Sequence, residues 1–392
     1  MRWLIGLLCS AAFAGDQDAL LLADETSTEP VASRDWFLSI EGAWGRAHLD
    51  KGYENTQRRS VDFRLDTQLS TDWRVVLADR LDGFGPSWQA PESKVNTLKE
   101  AYLSWQPAAD MALDFGRINT RYGVGLGYNP SDFFKEGAVR SVVSVAPASL
   151  RENRQGSVML RGQKLWSGGA LTALFSPKLA NEADPEAFSL DWGASNPRDR
   201  YLLALSQNGD ISSQFLLFGD TETQPQLGLN LTGLLNDATV LHAELSMAKE
   251  GGRFYRLASG LTWTSESKLS LGFEYQYDGG AKNAAEWRAL QAGPLQDYWR
   301  YRSEVQSRQS MLSQQATMVY ARWPDLIPQL ELAAMWRHDL IDKSDMAWAE
   351  VRYHFKAVDI AWEFQLNRGG ALTQYGALPE KRSSTLLLKY FF

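Results

Sequence analysis

The chain closes with SSTLLLKYFF, residues 383–392. Phe392, Tyr390, Leu388 and Leu386 occupy alternate positions, and Lys389 and Thr385 fall between them. Successive residues of a strand point to opposite faces, so this stretch reads as a strand with one apolar and one mixed side. A soluble sandwich also uses such strands, but a polar turn or tail usually follows them. Here the apolar face runs through to the terminal Phe392, which calls for apolar surroundings outside the strand.

The same alternation recurs along the chain. In SVDFRLDTQLS, Val61, Phe63, Leu65 and Leu69 oppose Asp62, Arg64, Asp66 and Gln68. In LSLGFEYQYD, Leu271, Phe273, Tyr275 and Tyr277 oppose Ser270, Glu274, Gln276 and Asp278. Leu330, Leu332 and Trp336 oppose Glu331 and Arg337; Val351 and Tyr353 oppose Glu350 and Arg352; Ile360, Trp362 and Phe364 oppose Asp359, Glu363 and Gln365. The segments run about 9–12 residues, longer than ordinary soluble strands. Aromatics recur near their ends, at Trp44, Trp73, Trp105, Trp166, Trp263, Trp323 and Trp336, as in the girdles of a membrane barrel. A closed barrel is the β arrangement that satisfies every backbone group in lipid. The expected fold is therefore all-β: a transmembrane antiparallel up-and-down β-barrel. Eight short turns (70–72, 106–110, 166–169, 207–210, 234–237, 264–268, 324–329, 355–359) alternate with nine longer connections (49–56, 83–97, 123–155, 178–198, 220–225, 248–253, 279–310, 339–345, 368–383), which gives about 18 strands, with 16 or 20 as the alternatives. FSLDWG (188–193) is assigned to a loop to keep that parity. Arg117 shares a face with Leu113 and Phe115, so a bulge is expected in the fifth strand.

The start of the chain fits export. Arg2 precedes an apolar run from Trp3 to Phe13, and Ala12-Phe13-Ala14 meets the small-residue cleavage rule. Residues 1–14 are expected to be a signal peptide, 15–34 a periplasmic lead, and 35–392 the barrel. The sole cysteine, Cys9, lies in the signal, so neither disulfide nor thiol chemistry is expected in the mature protein. Aromatics make up 12% of the 392 residues, yet mean hydropathy is −0.33, so the apolar residues must be patterned rather than pooled. A net charge of −7 argues against a nucleic-acid partner. Four histidines and no metal-ligand spacing leave little for catalysis. His242 faces the lumen without a G-x-S-x-G motif, and His338, Asp339 and Asp345 sit near a strand top without a defining pattern. Gly279-Gly280 reads as a loop. Neither an enzyme nor a cofactor is expected.

Function is expected inside the barrel. The lumen face carries Glu41, Asp62, Asp66, Asp82, Glu100, Glu244, Glu274, Asp278, Glu331, Glu350, Asp359 and Glu363 against Arg64, Arg74, Arg80, Arg161, Arg256, Arg337, Arg352 and Lys389. This mixture fits either cross-strand ion pairing or a polar channel tuned by rings of charge. The connection 124–155 is too long for a bare hairpin. Gly123, Gly125 and Gly127 allow close backbone approach, and PSDFF (130–134) reads as a turn into a short helix. Its apolar and basic character favours folding into the lumen over packing on the outer rim, with Arg117, Arg121, Asp132, Arg140, Arg151 and Arg154 as constriction candidates.

Two resemblances add to this reading. The terminal strand, with Phe392, Tyr390, Leu388 and Leu386, resembles the C-terminal signature that the barrel-assembly machinery reads in bacterial outer-membrane barrels. GRINTRYGVGLGYNPSDFF (116–134) followed by LRENRQGSVMLRG (150–162) is similar to a segment of poorly characterised proteobacterial barrels with a Gly-Arg…Trp-Gly…Asn-Pro-x-Asp signature, although Tyr122-Gly123 stands where many have Trp-Gly. These often accompany export systems. The strand count is similar to alginate-export porins, whose basic lumen is absent here, which argues against a polyuronate. The resemblances imply a Gram-negative outer-membrane location among lipid. They also imply a porin-like channel or an exporter component with periplasmic or inner-membrane transport partners, passing a polar or amphipathic solute. The alternative is a non-conducting scaffold or adhesin acting through its outer loops.

Overall fold

A computed structural model describes residues 34–85, 93–184, 186–187, 190–249 and 253–392. The expected signal peptide and nearly all of the expected lead lie outside the described residues. Eighteen strands form one sheet: β1 Trp36–Leu49, β2 Gly52–Gln68, β3 Trp73–Phe84, β4 Lys94–Ala108, β5 Met111–Ile118, β6 Ser157–Trp166, β7 Gly169–Ser176, β8 Arg200–Gln207, β9 Ile211–Asp220, β10 Gln226–Asn236, β11 Thr239–Lys249, β12 Arg253–Thr264, β13 Ser270–Asp278, β14 Gln315–Ile327, β15 Leu330–Asp339, β16 Asp345–His354, β17 Val358–Arg368 and β18 Glu380–Phe391. Each pairs antiparallel with its neighbours in sequence, and β18 pairs with β1 in an unbroken register from Ser39↔Phe391 to His48↔Arg382. The sheet is thus a closed barrel without a free edge, the arrangement that leaves no ladder group facing lipid. Helices α1 (Pro147–Glu152), α2 (Ala284–Ala292) and α3 (Leu295–Ser307) all lie in the long connections. No helix among the described residues is long and apolar enough to cross a bilayer.

The strand count and parity agree with the sequence reading, and the described part of 188–193, residues 190–193, falls in the β7–β8 connection. Three details differ. The connection expected at 49–56 is a two-residue turn, because β2 begins at Gly52 and pairs with β1 from Leu49↔Gly52 onward. Its YENTQRR stretch is polar on both faces and carries no period-2 signal, yet backbone pairing continues there. The turn expected at 324–329 contracts to 328–329: Pro324 stays within β14, and the extra residues are absorbed between Trp323 and Ile327 by a bulge with Asp325 at φ 54°. The irregularity expected at Arg117 sits on Gly116, at φ 138°, while pairing runs without a slip through Ala101↔Arg117 and Arg117↔Val158.

The outer surface is apolar along its middle, with Ile40, Val61, Leu261, Phe273, Val319 and Ile360 exposed. At the short-turn end it carries Trp36, Trp73, Trp105, Trp166 and Trp263, with Trp73 and Trp105 stacked at 5.8 Å. At the other end it carries Phe175, Tyr201, Tyr255 and Trp336. Two aromatic belts flanking an apolar band match a bilayer and its interfaces. In β18, Leu386, Leu388 and Tyr390 all point outward and are exposed, as is Phe392 just beyond it. We expect Phe273→Arg, in mid-band, to cost about 2–4 kcal/mol of folding stability in lipid vesicles. Urea titration of the refolded barrel checks this, and an unchanged midpoint would contradict the placement of the band.

Candidate functional site

Inside the barrel the wall is charged on one side and apolar in two patches. Across β1–β4, Arg80 bonds Asp82 at 3.0 Å and reaches Glu41 and Asp62, Arg58 pairs with Glu41, Lys99 bonds Asp62 at 2.7 Å, and Arg64 bonds Glu100 at 2.6 Å and Asp66 at 3.3 Å. Across β14–β17, Arg322 bonds Glu331 at 2.9 Å, and Arg352 bonds Glu350 at 2.8 Å and reaches Asp359. Arg161 bonds Asp114 at 2.8 Å. The inner face of β6–β9, by contrast, presents Met159, Leu174, Leu202, Leu216 and Phe218, and that of β14–β16 presents Met318, Met335, Met346 and Trp348. Apolar side chains on the water side of a barrel need a cover.

Residues 119–156, between β5 and β6, supply it. Phe133 stacks on Phe218 at 4.8 Å, Phe134 meets the same ring edge-on at 5.9 Å, and Tyr122 joins the cluster. Leu126 and Val145 pack against the methionine patch. Between these contacts lie Glu244 of β11 and Glu274 of β13, both fully buried. Glu244 accepts from the backbone N–H groups of Val124 (2.9 Å), Gly125 (3.0 Å) and Ser131 (2.7 Å), the Ser131 hydroxyl (2.8 Å) and the Asn129 amide (3.2 Å). Glu274 accepts from the N–H groups of Leu126, Gly127 (3.0 Å) and Tyr128 (3.1 Å). The Tyr128 hydroxyl donates to Asp278 at 2.9 Å. Successive N–H groups turned to one side make a concavity for an anion, and here two wall carboxylates occupy it. Each such charge-assisted bond is worth about 1.5–3 kcal/mol. The glycines follow from this approach. Gly123 has φ 98°, and a Cβ there would stand 2.6 Å from Glu244 Oε1. A Cβ on Gly127 would stand 2.2 Å from Met318 Sδ.

The segment is also fastened elsewhere. Arg58 of β2 donates to Val143 O at 2.6 Å, Ser144 donates to Glu363 of β17 at 2.9 Å, and Arg337 of β15 donates to Gly127 O at 2.9 Å. It therefore touches the wall on widely separated strands and crosses the lumen. The α2–α3 connection lies against it, with Gly137 N–H donating to Ser307 O at 3.0 Å and Gln309 to Lys135 O at 2.6 Å. Between segment, wall and these connections lies a cavity of about 1040 Å³.

The structure separates the constriction candidates. Asp132, Arg140, Arg151 and Arg154 line this cavity; Arg117 and Arg121 do not. Asp132 and Arg154 form a buried pair at 2.7 Å that holds the segment's own fold. Arg151 donates to the carbonyls of Tyr122 and Gly123, and Arg140 to those of Asp184 (2.7 Å) and Glu186. Burial lowers the pKa of both from the usual arginine value. Arg117 is buried where the wall dips between β5 and β8. It donates to Gly156 O (2.6 Å), Ser195 Oγ (2.7 Å) and Asp191 O (2.7 Å), tying two connections together. Of the lumen candidates, Asp62, Arg64, Asp66, Arg161, Glu350 and Arg352 belong to the wall networks, while Glu274, Arg337 and Glu363 hold the segment. Arg58, Lys99, Asp114 and Arg322 were absent from the sequence-derived lumen list. Alternation across β2 and β4–β5 could have placed Arg58 and Asp114; the register shift between Ala78 and Asp79 obscures Lys99.

No family model matches the sequence, and no curated protein matches it. Solved structures do match in fold. Acinetobacter baumannii OccAB2 aligns with a TM-score of 0.56 at 8% identity, over 91% of this chain and 97% of that one. A. baumannii OccAB4 gives 0.54 at 10% identity over 91% and 97%. Pseudomonas aeruginosa OccK8 (OprE) gives 0.53 at 11% identity over 91% and 98%. At such identities the likeness is one of fold.

Replacing both Glu244 and Glu274 by Ala orphans six backbone N–H groups. We expect trypsin then to cut within 119–156 at least tenfold faster (about 1.4 kcal/mol or more of local stability), while the barrel keeps its SDS-resistant mobility. Unchanged cleavage would mean that the two carboxylates do not hold the segment.

Proposed function

We propose that this chain is an outer-membrane porin-like channel that passes small polar solutes, with flow limited where residues 119–156 cross the lumen. The observation that carries the reading is the combination of an apolar exterior band with a charged interior cavity bounded by that segment. Lipid outside and water inside explain both surfaces of one strand set. The cavity lining carries more cations than anions: Arg58, Lys135, Arg140, Arg151 and Arg337 face a smaller set that includes Asp132 and Glu363. Several of these cations bond neutral carbonyls, so their charge stays available to a solute, and anions are favoured over cations. The mixed lumen expected from the strands alone is thus made more basic by the segment itself. The fastening of the segment on several walls supports a second reading, a barrel that does not conduct and acts through its outer loops.

Planar-bilayer recording separates the two. The full chain should give small steady conductance, and deletion of 128–150 should raise it severalfold. If neither conducts, the channel reading fails and the second stands. A pH effect follows from Lys135. Burial pulls its amine down to about 8, beside Asn129 O at 2.7 Å. The cation is present below that pH and is lost as pH rises through it. Anion preference should therefore fall between pH 7 and pH 9, and Lys135→Met should flatten this dependence at the lower value. Equal pH profiles for the two proteins would remove Lys135 from the account.

A further inference from the structure

The segment 119–156 closes most of the inner wall and leaves one part open. Leu202 of β8, Ser246 of β11, Ala258 of β12 and Met318 of β14 are at most 1% exposed, as are Glu244 and Glu274. On β3 and β4, Val76, Asp82 and Thr97 are closed to the same degree. The inner faces of β17, β18, β1 and β2 differ. There Glu363, Ser383, Thr385, Gly45 and Thr56 are all partly exposed. Glu363, Ser383, Thr385 and Thr56 line the cavity.

The strand register aligns these residues. Thr56 pairs with Gly45, Gly45 with Thr385, and Thr385 with Glu363, in one row across four strands. In the inward row below, Arg58 pairs with Ala43, Ala43 with Leu387, and Leu387 with Ala361. Ala43, Leu387 and Ala361 pack against one another. Gly45 lies at the middle of the upper row. A Cβ there would stand 2.5 Å from Thr56 Oγ1 and 2.6 Å from Thr385 Oγ1, so the two hydroxyls turn in over the glycine. The wall is lowest at that point, because the residue between the two threonines has no side chain.

The tip of the segment faces this row. Arg58 donates to Val143 O at 2.6 Å, and Ser144 donates to Glu363 at 2.9 Å. Arg58 and Glu363 stand three strand intervals apart, about 14 Å. Val143 and Ser144 are consecutive, with Cα atoms about 3.8 Å apart. The tip therefore lies over the two strands between, and the two wall side chains reach in to it from either flank. Val142, 59% exposed, lines the same cavity. These residues bound an eyelet. Thr56, Gly45 and Thr385 make its floor, Val143 and Ser144 its roof, and Arg58 and Glu363 its sides.

We propose that solutes pass through this eyelet, between the tip of the segment and the β18–β1 seam, and that Gly45 with its flanking threonines sets the largest cross-section admitted. The route rests on the channel reading above and adds the residues that decide solute size. Single cysteines at Thr56, Thr385 and Ser246 test it, with a charged methanethiosulfonate reagent added during planar-bilayer recording and treated wild type as control. Labelling of T56C or T385C should lower conductance roughly twofold or more. S246C, beneath the segment, should neither label nor change. Gly45→Leu, which raises the floor, should lower conductance without reagent and exclude the largest neutral polyethylene glycol that wild type admits. SDS-resistant mobility checks folding; should G45L not fold, the threonine cysteines carry the test. Failure of T56C and T385C to label, full current after both are labelled, or block through S246C instead would each place the route elsewhere and overturn the proposal while leaving a conducting channel. A wild type that does not conduct removes the channel reading itself, and the route with it.

Discussion

Two wall carboxylates, Glu244 and Glu274, are fully buried in the barrel interior. A buried carboxylate in that position needs hydrogen-bond donors. The backbone of residues 124–131 provides them, six N–H groups turned to one side. Much else depends on this contact. It draws a 38-residue connection across the lumen, seats Phe133 and Phe134 on the apolar inner face of β6–β9, and brings Leu126 to the methionine patch of β14–β16. It also sets the cavity between segment and wall, so the lumen is divided by hydrogen bonds rather than by bulk alone.

The barrel itself answers a different constraint. Closure of β18 on β1 satisfies the backbone of all eighteen strands, and only then can an apolar band face lipid. The inner wall is under no such demand and is free to vary. On β1–β4 it is a network of ion pairs, on β6–β9 it is apolar, and on β11–β13 it is acidic. The inner face therefore carries what is particular to this chain, and the outer face carries what any such barrel shares.

Legibility in the sequence follows the same division. Lipid imposes a strict period of two, so strands such as Ile360–Phe364 and Leu386–Tyr390 could be assigned, faced and counted from sequence. The upper half of β2 could not, because above the bilayer neither face must be apolar. Glycine at 123 and 127 signalled close approach, and Glu274 signalled a lumen charge, but their meeting joins residues well over a hundred positions apart. No local pattern encodes such a contact. The apolar inner patches were partly visible in strands apolar on both faces, as in LTALFS (171–176) and FLLFGD (215–220). Arg117 was grouped with the constriction because of its charge. Its fate was decided by the dip in the wall at β5–β8, a consequence of strand lengths that only the assembled sheet shows.

The central claim is that residues 124–131 are held against β10–β13. It is tested most directly by paired cysteines at Ser131 and Asn230, whose side chains are in contact at 2.9 Å. The only native cysteine, Cys9, lies in the expected signal peptide, so the background is clean. In intact membranes the pair should cross-link almost completely under mild oxidation, and conductance should not change on reduction. Absent or slow cross-linking, with conductance that rises when the bond is reduced, would show that the segment rests elsewhere and would contradict the account.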